Sequence, residues 1–142
     1  MRSAPAAAPV RDEVELVLDG GPNAGTHTAQ TDLNCFVDDS GWTAGTGPMS
    51  DRRTGMTEVG TSLRGVRASG GSTEQADLSV QFGHIDEDSP ELGLAGVGLG
   101  FGGTSRGTVE RQGQGAVIQV SGTTHDGTQI SATFRCATVG TI

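Results

Sequence analysis

Polar and apolar residues alternate with a period of two along much of this chain. In the first such stretch Val14, Leu16 and Leu18 fall on one side and Glu13, Glu15 and Asp19 on the other, the pattern of a strand with one buried face. Gly20, Gly21, Pro22 and Asn23 then predict a turn. An exposed, threonine-rich second strand is expected from Thr26 to Thr31, and a third from Leu33 to Val37. Residues 46–55 read as a surface loop. Val59, Thr61 and Leu63 alternate next, and Gly65 shifts the phase to Val66, which predicts a β-bulge there. Past a Ser/Gly turn at residues 69–72, Leu78, Val80, Phe82 and His84 alternate with Ser79, Gln81 and Gly83.

The last third has the clearest pattern. Residues 108–111, 116–121 and 128–137 predict a three-stranded meander, with hairpin loops at Gln112 to Gly115 and at His125-Asp126-Gly127. An Asp-Gly pair between alternating segments is a strong hairpin signal. On the final strand Ile130, Ala132, Phe134 and Cys136 share one face, while Gln129, Ser131, Thr133 and Arg135 share the other. No stretch carries a helical period. The fold class expected is all-β, an antiparallel sandwich or barrel-like domain of about eight strands with one disulfide. Residues 1–12 are expected to be a flexible Ala/Pro-rich tether, and residues 13–142 a single domain.

Composition narrows the picture further. Of 142 residues 24 are glycine, without a three-residue period, as suits turns and bulges between strands. With four Phe, one Trp and no Tyr, the core must be largely aliphatic, and a covalent staple would help it. Cys35 and Cys136 have neither a CxxC spacing nor histidines placed to complete a zinc site. They are expected to pair, which implies an oxidising compartment; the alternative is two buried thiols in a cytosolic protein.

The net charge of −8, with no lysine, makes nucleic acid and anionic lipid poor partners. It also excludes chemistry that needs a lysine amine. No apolar run is long enough for a membrane helix. The opening nine residues lack the apolar stretch of an export signal, and Met1 is read as standing where a leader was removed. Tethering to a membrane would therefore need an N-terminal anchor not seen here.

Candidate chemistry is sparse. His27, His84 and His125 have no spacing that brings them together, and the serines lack a nucleophile elbow, so the chain is read as not an enzyme and as needing no cofactor. Asp86, Asp88 and Glu91 belong to the densest acidic run and are weak calcium candidates, since the order of an EF-hand loop is missing. Gly98, Gly100 and Gly103 match a dinucleotide fingerprint only formally, because a strand rather than a helix follows. In the same segment Val97, Leu99 and Phe101 form an apolar face opposite bare glycines, a candidate interaction edge or a tight spot within the domain. Trp42, the sole tryptophan, is a candidate platform for a ligand or else part of the core.

The run Gly20-Gly21-Pro22-Asn23-Ala24-Gly25-Thr26, Cys35 nine residues later, Trp42, and the ending from Gly122 through Asp126-Gly127, Ile130, Ala132-Thr133 to Cys136 resemble a class of exported bacterial domains. These include the mycobacterial LpqH-type lipoprotein antigens and related envelope proteins. The resemblance spans roughly residues 14–137 and implies a disulfide-closed β domain displayed outside the membrane. It brings no catalytic residues. The chain departs from an acylated lipoprotein in having no cysteine within residues 1–9. The function expected is a non-enzymatic secreted or cell-envelope domain acting through surface interaction with another protein or with itself. Alternatives are a self-assembling coat or filament subunit that uses the glycine-rich strand, and a carrier of a small apolar ligand.

Overall fold

The computed structural model describes residues 11–21, 24–47, 55–85, 92–99 and 104–141. Twelve strands form two six-stranded sheets and no helix occurs among the described residues. The first sheet contains β1 (Glu13–Asp19), β2 (Gly25–Ala29), β6 (Gly70–Thr73), β9 (Thr104–Gln112), β10 (Gly115–Thr123) and β11 (Gln129–Cys136), in the order β2-β1-β11-β10-β9-β6. The second contains β3 (Leu33–Asp38), β4 (Gly41–Thr46), β5 (Gly55–Arg64), β7 (Ala76–Ile85), β8 (Leu92–Leu99) and β12 (Gly140–Thr141), in the order β12-β3-β4-β5-β7-β8. All pairings are antiparallel except that of β12 with β3, which is parallel.

The count exceeds the expected eight for a physical reason. β4, β6 and β12 are short and, apart from Trp42 in β4, built of glycine and small polar or Ala residues, and β8 is interrupted by glycines, so none carries a sustained alternation of large side chains. The meander of β9, β10 and β11 stands as its sequence predicts, and Gly113 makes the first hairpin turn with a φ of +60°. The bulge is not at Gly65, which instead sits in a turn at φ +76° and donates its N–H to Ser40 O at 2.8 Å. It lies in β5 between Met56 and Glu58. There Thr57 turns inward, and its hydroxyl donates to Gln81 O at 3.0 Å, so the buried oxygen is satisfied.

The inner faces meet in one aliphatic core. Val14, Leu16 and Leu18, Ile118 and Val120, and Phe134 come from the first sheet; Val59, Leu63, Leu78, Val80 and Phe82 come from the second. The two sheets cross steeply. Ala76 of β7 lies beside Gly107 of β9, while six residues on Phe82 meets the ring of His27 of β2 edge-on, centroids 4.9 Å apart. Six strand residues cover about 20 Å, and the four strand spacings from β9 to β2 cover about 19 Å. β7 therefore runs across the strands of the first sheet, as in orthogonal sandwiches.

β3 crosses the same sheet at its other end. Asp12 joins them: its carboxylate accepts from the backbone N–H of Leu33 at 2.8 Å and of Ala137 at 2.7 Å. Asp12 thus belongs to the domain, one residue earlier than the tether boundary drawn from sequence. The Cys35–Cys136 disulfide then ties β3 to β11 across the core, with a Cα–Cα distance of 6.3 Å and 101 residues between the partners. Both cysteines are buried, and such a bond implies an oxidising environment.

Candidate functional site

The residues singled out from sequence do not converge. Trp42 is 1% exposed; its Nε1–H donates to Arg67 O at 2.7 Å and the Arg111 guanidinium lies 5.6 Å above its ring. Both attachments seal the indole into the core, so neither ring face is open to a ligand. Leu99 is also buried, facing the core opposite Leu78, and Val97 occupies the register position opposite Val80. A Cβ on Gly98 would lie 2.5 Å from Leu78 O, which makes this position a tight spot within the sheet. Phe101 and the calcium candidates Asp86, Asp88 and Glu91 lie outside the described residues. His27 packs on Phe82 at one edge of the sandwich, and His125 sits in the hairpin between β10 and β11. Among the described residues no three His, Cys, Asp or Glu side chains gather as metal ligands would.

What the tertiary structure does assemble is a cleft of about 400 Å³ on the outer face of the second sheet. Its form follows from the registers. Asn34, Gly45, Gly60, Ser79 and Gly98 lie side by side on β3, β4, β5, β7 and β8. This row has almost no side-chain height between Asn34 and the β8 edge. One flanking row holds Phe36, Thr43, Ser62 and Asp77, and the other holds Glu58 and Gln81. The result is a trough running across the strands, about 14 Å from β3 to β7 and about 13 Å between the flanking rows.

The glycines of the floor are not all explained by folding. At Gly115 an added Cβ would lie 2.2 Å from Cys136 O, so no other residue fits there. At Gly60 the nearest heavy atom would be Ala44 O at 3.8 Å, ordinary contact, and at Gly45 it would be Val59 O at 3.3 Å. Neither has a positive φ. A glycine inside a strand is less favourable than alanine by roughly 0.5–1 kcal/mol. At Gly60 in particular, neither backbone conformation nor packing demands glycine, and what it provides is a bare floor. Bare strand positions occur where a ligand or another chain approaches closely.

Among the described residues the walls supply amides, hydroxyls and two carboxylates. Asn34, Asp77, Ser79 and Gln81 are exposed; Thr43, Ser62 and Glu58 are half-buried. Phe36 is the one aromatic side chain on this face among the described residues and is half-buried at the β3 end. No arginine lines the trough among the described residues. A second cleft of about 340 Å³ lies on the outer face of the first sheet, around Val17, the one exposed large apolar side chain among the described residues. There Gly122 is dictated by folding, since its Cβ would meet Thr104 O.

Sequence reasoning missed the trough because its residues are the outward members of alternations that were read for their inward members. A signal was present in Gly45 and Gly60, both at outward positions of strands. Only the strand order shows that they are neighbours. Comparison with protein-family models, with curated proteins and with solved structures found no match to this chain.

Proposed function

We propose that this protein is a non-enzymatic extracytoplasmic domain, secreted or held at the cell envelope, that acts by contact through its surface. The observation that carries this reading is the buried Cys35–Cys136 bridge between the two sheets. Reducing cytosol does not sustain such a bond in most organisms, and a strand-built domain with few aromatics gains much from it. The resemblance of the opening and closing segments to exported LpqH-type antigens agrees with that placement. The trough on the second sheet, an open recess of about 400 Å³ lined by polar side chains, supports surface contact. The test is thiol trapping: cells of the native host are alkylated before lysis and the protein is then isolated. Both cysteines are expected to be unmodified, and alkylation of both in freshly trapped material overturns the placement.

One observation favours self-association as a second reading. Among the four edge strands, β2, β6 and β12 have five residues or fewer, whereas β8 has eight and contains neither a charge nor a proline. Natural sheets usually blunt an edge of that kind, because its unpaired backbone groups recruit another strand. Light scattering across concentration decides between the readings. A dimer that dissociates in Gly96→Lys supports pairing along β8, and a monomer at high concentration discards it.

A further inference from the structure

We infer that the trough is a binding site for a neutral polyhydroxylated chain, that is, a glycan; this rests on the surface-contact reading above and names its ligand class. Four features of the site select that class. First, the charged side chains that line it among the described residues are the carboxylates Glu58 and Asp77, so phosphate and carboxylate ligands meet repulsion there. Second, the amides of Asn34 and Gln81 and the hydroxyls of Thr43, Ser62 and Ser79 both donate and accept, as sugar hydroxyls do, while the carboxylates accept from neighbouring hydroxyl pairs.

Third, the backbone groups beneath the floor are committed. β4 is paired with β3 and β5, and β5 with β4 and β7. An extended peptide adds to a sheet through free backbone groups at an edge, and the floor on β4 and β5 offers none. Recognition there is by side chains alone. Fourth, the floor is flat and glycine-lined and Phe36 stands at one end, so a ring can lie against the sheet and rest an apolar C–H face on the aromatic wall. The recess is open rather than enclosed and extends over several strands, which fits a linear chain better than a single small molecule.

The experiment follows backbone amide shifts of the full chain by NMR. The probes are three neutral tetrasaccharides, β-1,4-linked N-acetylglucosamine, β-1,4-linked glucose and α-1,4-linked glucose, with a tetra-arginine peptide beside them. At least one tetrasaccharide is expected to move the amides of Thr43, Gly60, Ser62 and Ser79, and to do so equally at about 1 M salt, where contacts between charges are screened. Gly60→Val raises the floor with a residue that strands favour, so it is expected to melt at or above the parent temperature while binding weakens by about tenfold or more. Ser79→Gln, on an exposed side chain, serves as a second blocking variant.

Shifts that persist unchanged in both variants overturn the assignment to this face. If only tetra-arginine moves these amides, in a salt-sensitive way, the glycan assignment falls while surface contact at the trough stands. If no probe moves them, both the ligand class and the use of this face are overturned. The extracytoplasmic placement is judged separately, by the thiol trapping.

Discussion

Asp126 illustrates how a single exposed side chain organises a turn. Its carboxylate accepts from the Thr124 hydroxyl and, at 3.3 Å, from the Thr128 N–H, and these bonds hold its pKa below the ordinary 3.8, the Thr124 hydroxyl first. Asp38 does the same in the β3–β4 turn, where the Ser40 hydroxyl and then the Ser40 N–H lower its pKa. A depressed carboxyl stabilises the fold above its unfolded pKa, and that contribution is lost as pH falls through the folded value. Asp126→Asn is therefore expected to melt below the parent at pH 6, and the gap should close as the pH drops through and below 3.8. Calorimetry across that range checks it; a gap independent of pH contradicts it. Packing at the residue scale has a sharper consequence at Gly107. A Cβ there would lie 2.5 Å from Leu63 Cδ2 and 3.2 Å from Ala76 Cβ, from the facing sheet. Gly107→Val should cost roughly 1–3 kcal/mol by overpacking, read from denaturant midpoints. The Asp-Gly turn was legible from local chemistry. The Gly107 contact was not, because its partners come from another sheet.

At the scale of elements, the strands with large alternating side chains were legible: β1, β3, β7 and the meander stand close to where the pattern places them. β4 and β6 were not, since hydrogen bonding to neighbours rather than their own sequence makes them strands. β4 in turn decides the role of Trp42, placing it under the end of β9, where Arg111 covers the indole. That guanidinium also donates to Ala68 O and Gly113 O, each at 3.4 Å, tying two turns over the ring. Arg111→Ala is expected to move the fluorescence of the sole tryptophan to the red and to lose about 0.5–1 kcal/mol. An unshifted emission maximum would show that the arginine does not shield the indole. The bulge at Thr57 belongs to this scale as well. It inserts one residue into β5, so that Thr57 points inward while Glu58 lies opposite Gln81 on the trough wall.

For the whole molecule the disulfide closes a loop of about a hundred residues and so stabilises by about 4–5 kcal/mol in the chain-entropy model. The Cys35→Ala/Cys136→Ala double variant should lose that amount in chemical denaturation while keeping its strand circular dichroism at low temperature; a loss below about 1 kcal/mol would show that the unlinked chain is already confined. The bridge is also what confines β3 against β11 and so holds the second sheet, with its trough, across the first. The sequence by itself determined the class of fold, the buried faces, the meander and its turns, since alternation and turn chemistry act over a few residues. Only the tertiary structure decided the order of strands, the steep crossing of the sheets and which outward residues stand together. Those depend on pairings between segments far apart in the chain, such as Gly60 with Ser79 and Ala76 with Gly107, for which a linear pattern carries no distance.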